Sequence, residues 1–456
     1  MPFRSLGHRM AGPVLCALAA FAAASAPLAS RADQGSVVPA QFEIPAKLSL
    51  DDALTTFRAH GFQILIAEAA VMSAEGDERI AGAVINPSVS FSVGHTFNYD
   101  PSKINGGCDG CSAESFGVGL SDNAAIEDSL SGKRGLRLKV AHSALAAAKM
   151  SRLDAQRNLE FQVKSAYLQV VLALKALDFS MEIQKSNQDQ LDLNQRRYDK
   201  GAINEGELAR MKTQKLEADQ VVDTGRQTVR QARVALAFLL GVRGHVPEFE
   251  VDRDALQYRV PDMLKSSSPD VLLRSAFEKR PDLIALGYQR QSAEAQIHLS
   301  KREVFPDIAL SANYTQTGTG LNAIQPPTLI IGLSAPLPVF YQQGGEVRRA
   351  EANYNTQSLV QAQTTAQVVS DVEAAYALFS GSKLLVERME GTELEQARIA
   401  RDITQRQFKA GSATLMDFLD AQRVYISTNL EYLQDLTNYW TAVYQLEQAV
   451  GTELRK

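Results

Sequence analysis

Residues 163–181 read VKSAYLQVVLALKALDFSM, and the turn beyond them reads Lys200-Gly201-Ala202-Ile203-Asn204. Val163, Tyr167, Val170, Leu174, Leu177 and Met181 are spaced 4, 3, 4, 3, 4, the seam of a coiled coil. From Lys133 to Lys200 the only helix breaker is Gly135. Glycine is the usual residue just past a helix end, and asparagine is a good cap for the next helix. The pattern predicts one very long helix, a tight turn at Gly201 and a returning helix that ends near Gly241. About 65 residues at about 1.5 Å each reach roughly 100 Å, wider than an ordinary globular core. The returning helix repeats the seam at Val229, Ala232, Leu236 and Leu239.

The same object occurs twice. A helix from Gly345, a break at Ala410-Gly411-Ser412 and a return to Gly451 repeat it. Gly201 to Gly241 spans 40 positions, and so does Gly411 to Gly451. Val163, Tyr167, Val170 and Leu177 have counterparts in Val372, Tyr376, Phe379 and Val386, and Tyr198 has one in Phe408. The match is imperfect, because Leu174 falls on Lys383. A duplication of this length makes two similar halves of one body.

The chain has 456 residues and a formal net charge of −5, so nothing points to nucleic acid. Past the leader there is no uninterrupted apolar run of about 20 residues, so a membrane crossing has to be made by strands closed into a barrel. No Gly-x-Ser-x-Gly, Walker loop or His-Glu-x-x-His is present, and the six histidines are scattered. Neither an enzyme nor a cofactor is expected.

Residues 1–32 read as a secretory signal peptide. Arg4, His8 and Arg9 open it, an alanine-rich run follows, and Ser30-Arg31-Ala32 offers small residues before a cut. Cys16 lies inside the apolar run after Leu15, where a lipidation signal needs a small residue, so it is expected to leave with the leader. Leu48-Ser49-Leu50-Asp51-Asp52-Ala53-Leu54 opens a helix with acids in its first turn, and helical segments run to about Gly82. In the second half, Ser268-Pro269 and Arg280-Pro281 start helices in the same way.

Both helical runs end at a proline and a change of period. After Asn86-Pro87, Val89, Phe91, Val93, His95, Phe97 and Tyr99 alternate with small polar residues. After Phe305-Pro306, Ile308, Leu310, Ala312 and Tyr314 do the same. Their partners carry Phe116, Val118 and Leu120, and Leu329, Ile331 and Leu333. Strands are therefore expected at about 86–100, 114–128, 305–317 and 326–340, each with one apolar and one polar face. The first repeat is set at 33–241, a linker at 242–266 and the second repeat at 267–456. Four strands cannot close a barrel, for which about eight is the practical minimum. Three copies would bring twelve strands around a water-filled lumen.

A duplicated strand–strand–long helical hairpin in a secreted chain resembles the TolC-like outer-membrane efflux proteins. The residues that carry the resemblance are Leu50-Asp51-Asp52-Ala53-Leu54, Asn86-Pro87, Gly132-Lys133-Arg134, Phe305-Pro306-Asp307, the two glycine turns, and Asp417 with Ala421-Gln422. Ala81-Gly82 before Asn86-Pro87 looks most like the family's heavy-metal (cobalt–zinc–cadmium and copper–silver) branch. The resemblance implies a mainly α homotrimer. A twelve-stranded β-barrel in the outer membrane would continue into a twelve-helix α-barrel in the periplasm. It implies a passive exit duct served by a periplasmic adaptor and an inner-membrane pump, here of the RND type. A duct for organic drugs or type I protein secretion is the alternative. A periplasmic coiled-coil scaffold that forms no channel stands behind both.

In that family the hairpin tips meet the adaptor through a small-Gly-small motif. Ala410, Gly411 and Ser412 fit it, whereas Lys200, Gly201 and Ala202 depart at the lysine. Glu205, Glu207 and Asp417 open the returning helices. As a ring they would attract cations at a periplasmic mouth, with Arg197, Arg406 and Tyr198 as candidates for holding it closed. The same acids also suit helix N-termini for dipole reasons alone. Cys108 and Cys111, with Asp109 and His95, offer metal ligands, but no second pair exists. In an oxidising compartment a local Cys108–Cys111 disulfide is the expectation.

Overall fold

The computed structural model describes residues 42–97, 100, 113–265, 267–317 and 327–454. The leader at 1–32 and the Cys108–Cys111 pair lie outside the described residues.

The described residues open with a two-residue strand β1 (Lys47–Leu48), then α1 (Leu50–His60) and α2 (Phe62–Gly82). Ser49 caps α1 in a box: its hydroxyl accepts from the Asp52 amide while Asp52 accepts from the Ser49 amide. Strands β2 (Ser88–His95) and β3 (Glu114–Ser121) follow, then a short α3 (Ala125–Leu130). The long helix α4 (Lys133–Asp199) runs unbroken for 67 residues and returns as α5 (Glu205–Leu239). Strand β4 (Glu250–Val251) pairs in parallel with β1, so the linker is stitched to the start of the chain. After α6 (Asp262–Lys265), the second half runs α7 (Pro269–Lys279), α8 (Pro281–Arg302), β5 (Ala309–Thr317), β6 (Thr328–Ser334) and α9 (Gly344–Arg388). A π-helical turn, Met389–Glu393, joins α9 to α10 (Leu394–Ala410), and α11 (Leu415–Val450) returns.

The helix–turn–helix reading of both hairpins holds. The strand ends do not all fall where the alternation places them. The second strand, expected to about 128, stops at Ser121. Asn123 and Ala124 turn left-handed (φ 52° and 64°), and the Asp122 carboxylate accepts from the amides of Ala124, Ile126 and Leu310. That turn starts α3 instead. The fourth strand, expected to 340, ends at Ser334, because Pro336 and Pro338 have no amide for a ladder. The first and third begin at Ser88 and Ala309, and the first ends at His95.

The coiled-coil seam also changes below the middle of α4. Val163, Tyr167, Val170 and Leu174 are buried, but Leu177 is only half-buried and Met181 is 37% exposed. Further down, Ile183, Asn187, Gln190 and Asn194 are the buried positions. Twenty residues at about 100° each carry Val163 to Ile183 roughly 200° round the helix. Around Tyr167 the buried face of α4 meets Leu48 and the linker at Asp252, and around Asn187 it meets Gln422 of α11.

The linker is held from both halves. The Tyr167 hydroxyl donates to the Leu48 carbonyl and accepts from the Asp252 amide, both at 3.0 Å. Its burial pushes the phenol up to about 12. Trp440 and Tyr439 of α11 donate to the carbonyls of Gln257 and Arg259. Nearby, Lys164 and Glu447 form a buried ion pair at 2.6 Å between the two repeats, and Glu447 also accepts from the Leu454 amide. Arg280, 4% exposed, donates to Asp282, Asp371 and the Ala449 carbonyl. Burial alone would raise Asp282, but the bonded Arg280 and the nearby Arg157 hold it below the ordinary carboxylate value.

Candidate functional site

At one end lies an antiparallel sheet in the order β2-β3-β5-β6, so the two halves meet at β3 and β5. Register sorts the side chains. Val89, Phe91 and Val93 lie opposite Leu120, Val118 and Phe116, and these lie opposite Ala312, Tyr314 and Gln316. Leu310, Ala312 and Tyr314 lie opposite Leu333, Ile331 and Leu329. That face is apolar and open: Phe91, Leu329, Ile331 and Leu333 are each more than half exposed. The other face carries Ser88, Ser90, Ser92, Gly117, Gly119, Asn313 and Thr315. A Cβ on Gly119 would meet Asn313 Oδ1 at 2.4 Å and Ser90 Oγ at 2.5 Å. At those glycine positions only a hydrogen fits, while Ile330 of β6 stands exposed on the same side, opposite Asn313. Both outer strands, β2 and β6, have an unpaired edge within the described chain. An apolar face this open, on a sheet with free edges, suits lipid contact and closure with other copies. Among the described residues no helix is long and apolar enough to span a membrane.

Under the sheet, two of the sequence motifs meet. The Lys133 ammonium, at the start of α4, donates to the Phe305 carbonyl (2.8 Å) and Asp307 Oδ1 (2.6 Å) and lies 3.4 Å from Glu127. Its side chain is 4% exposed. Arg134 Nε donates to the Gly82 carbonyl at the end of α2. Arg137 clamps Asp128 of α3 through two bonds of 2.6 and 2.7 Å. Gly132-Lys133-Arg134 and Phe305-Pro306-Asp307 are thus one junction between helices and sheet.

At the other end the two hairpin tips have the same backbone. Gly201 (φ 72°) closes the first: its amide donates to the Tyr198 carbonyl and that of Ala202 to the Arg197 carbonyl. Gly411 (φ 81°) closes the second: its amide donates to the Phe408 carbonyl and that of Ser412 to the Gln407 carbonyl. Neither glycine has a neighbour within 4 Å of where a Cβ would stand. The left-handed φ, and not crowding, calls for glycine there. Lys200, Gly201, Ala202, Ala410, Gly411 and Ser412 are all exposed.

The gate candidates divide. Arg197 reaches across to the second hairpin, where its guanidinium donates to the Lys409 carbonyl (2.8 Å) and lies 5.2 Å from the Phe408 ring. Arg406 does not cross; its Nε turns back to the Asp402 carbonyl of its own helix. Tyr198 is 38% exposed, while its counterpart Phe408 is buried and stacks on Phe418. Asp417 sits in a capping box, its Oδ2 accepting from the Thr414 amide and hydroxyl. Those two bonds hold its carboxyl below the ordinary value. Glu207, its counterpart, donates its amide to Asn204 Oδ1 and is half-buried, and Glu205 is exposed.

Behind the tips, Met211, Phe408, Leu415 and Phe418 form a small apolar cluster shared by the two hairpins. Above it, Asn187, Gln190, Asn194 and Gln422 are buried, with Gln422 donating to Asn187 at 2.6 Å. This amide seam between α4 and α11 was not anticipated. Its spacing of 4, 3, 4 on positions 183, 187, 190 and 194 was the available signal, hidden by the polarity of the residues.

The profile of the outer membrane efflux protein family matches this chain twice, at residues 54–242 and 272–452. The chain is 26% identical over 394 residues to a pyoverdine export outer membrane protein of Pseudomonas putida, covering 83% of this chain and 80% of that one. It is 22% identical over 409 residues to the cobalt-zinc-cadmium resistance protein CzcC of Cupriavidus metallidurans, covering 90% and 91%. In fold it is similar to the outer-membrane channel OprN (TM-score 0.72, 18% identity, 89% and 91% covered). It is similar also to CusC (TM-score 0.70, 17% identity, 91% and 97% covered). The fold is that of the TolC-like channels, and the two profile matches coincide with the two hairpin repeats. With a lipid-suited sheet at one end and long paired hairpins at the other, the chain belongs to the outer membrane efflux protein family, the outer-membrane channels of tripartite efflux systems.

Proposed function

We propose that three copies of this chain join β2 of one to β6 of the next. The product is a barrel in the outer membrane, with the hairpins continuing it into the periplasm. The observation that carries this reading is the four-stranded sheet, apolar on one face, mostly small and polar on the other and, among the described residues, open at both edges. The duct itself is passive. An adaptor docks on the tips around Gly201 and Gly411, and an inner-membrane pump of the RND type supplies the energy. Arg197 holds the resting mouth by tying the two tips together, and Glu205 and Glu207 favour cations there. Heavy-metal cations are the cargo of this reading, supported by those carboxylates and by the likeness to CzcC along nine-tenths of both chains. The likeness to pyoverdine exporters favours a second reading, an organic iron chelator as cargo.

Planar-bilayer conductance of detergent-extracted protein tests the duct. Discrete cation-selective openings are expected, with selectivity reduced by Glu205→Ala and Glu207→Ala. Protein that needs no detergent and never conducts overturns it. Loss of zinc, cobalt or cadmium tolerance on deletion assigns the metal cargo, and periplasmic build-up of a chelator with unchanged tolerance assigns the other.

A further inference from the structure

The two repeats are not in one constant register. Val163, Tyr167, Val170 and Leu177 precede their counterparts Val372, Tyr376, Phe379 and Val386 by 209 positions. Tyr198, Gly201, Glu207 and Gly241 precede Phe408, Gly411, Asp417 and Gly451 by 210. The second hairpin therefore holds one extra residue between Val386 and Phe408. In that interval the helix is π-helical over Met389–Glu393, and the Leu394 amide donates to the Met389 carbonyl five residues back. The matching interval of α4 is unbroken α-helix.

An inserted residue would turn everything beyond it by about 100°. A single π turn absorbs the insertion and keeps the two sides in phase. Val386 above and Phe408 below are accordingly both buried. The cost is a weaker stretch of backbone, with Gly391 inside it and Glu390 to Glu393 exposed.

What lies on either side of the turn differs. Above it, Glu387 accepts from the Tyr258 hydroxyl of the linker at 2.7 Å, and within the turn itself Glu390 accepts from Tyr432 of α11. Below it, α10 buries only Ala397 and Phe408 within the subunit. The matching part of α4 buries Ile183, Asn187, Gln190 and Asn194.

We infer that the inserted residue makes a swivel: α10 turns and slides along α11 about Met389–Glu393, while the unbroken α4 serves as a rigid strut. The motion moves the Gly411 tip relative to the Gly201 tip. Its purpose rests on the duct reading, in which the tips open the mouth.

The test is deletion of Thr392, which restores the 209 spacing. Flanking faces stay in phase, so the variant is expected to assemble like the wild type. In bilayers it is expected to lose the adaptor-dependent openings while keeping the resting conductance. Openings equal to those of the wild type overturn the swivel. A wild type that never conducts sinks the duct reading instead, and hydrogen exchange of the wild-type protein then still decides the swivel. Amides 389–394 are expected to exchange about tenfold faster than the cognate amides 180–184. Equal protection overturns the proposal, and the same measurement decides it if the deletion variant does not assemble.

Discussion

The Arg197 guanidinium donates to the Lys409 carbonyl at 2.8 Å and so caps the last turn of the other hairpin's outgoing helix. A cation on the final carbonyls of a helix is favoured by its dipole. The counterpart position is Gln407, so the tie runs in one direction only. Arg197→Ala is expected to remove about 1–2 kcal/mol from the contact between the tips. Resting conductance without adaptor should rise, and Arg197→Lys should fall between. Unchanged resting conductance in both variants would show that the tie does not hold the mouth.

The Lys133 junction predicts an assembly defect. The ammonium is buried beneath the sheet with the Phe305 carbonyl, Glu127 and Asp307 around it. Lys133→Met leaves the carbonyl and Glu127 without their cation, at roughly 2–3 kcal/mol. The expected readout is a lower melting temperature of the detergent-purified assembly on semi-native gels. The exposed Lys301–Glu351 pair is the control, since breaking it should cost almost nothing.

Local chemistry in this chain is readable, and pairing at a distance is not. Gly201, Gly411, Ser49 and Asn204 announce helix ends because a left-handed φ or an orphan amide demands those residue types. The strands announce themselves by period, because one face of the sheet is apolar and the other carries mostly small and polar residues. Lys133 and Asp307 are each conspicuous, but 174 positions apart nothing local joins them. The linker between the halves carries no motif; aromatic residues of α11 position it, and they read as ordinary seam residues. The seam itself misleads beyond Leu174, since past Ile183 the buried positions Asn187, Gln190 and Asn194 are amides. The π turn was written in the change of spacing from 209 to 210, a difference invisible until the two halves are aligned on both sides of it.

Tyr167 ties the start of the chain to the linker through one hydroxyl, with the Leu48 carbonyl and the Asp252 amide at 3.0 Å. Tyr167→Phe keeps the ring and strands both backbone groups. A loss of about 1–3 kcal/mol is expected, with faster amide exchange at Leu48 and Asp252. If exchange there is unchanged, the β1–β4 pairing holds that end of the linker without the Tyr167 hydroxyl.

The two capping boxes set an acid limit on two helix starts. Ser49 holds Asp52, and Thr414 holds Asp417, below the ordinary value of 3.8. A depressed carboxylate contributes its stability above the unfolded value and loses it as pH falls through the folded one. Protection of the first turns of α1 and α11 should therefore persist at pH 5 and fade below about pH 4. Asp417→Asn should remove most of that pH dependence from α11 and leave α1 as it was. A fade beginning above pH 5 at either helix would point to another group.

The tip glycines separate backbone strain from docking. Gly201 and Gly411 have φ of 72° and 81° and open space where a Cβ would stand. Alanine at either position is expected to cost about 1 kcal/mol in local strain, and the two costs should match because the two turns share one hydrogen-bond pattern. Adaptor affinity should not fall equally. Ala410 and Ser412 leave the second tip uncluttered, while Lys200 already projects a long cation beside the first. Gly411→Ala should therefore weaken binding of purified adaptor by about tenfold, equivalent to about 1.4 kcal/mol, and Gly201→Ala by less. Equal losses would make the two tips equivalent docking points despite Lys200. No loss at either would leave both glycines with their backbone task alone and move the adaptor contact away from the tips.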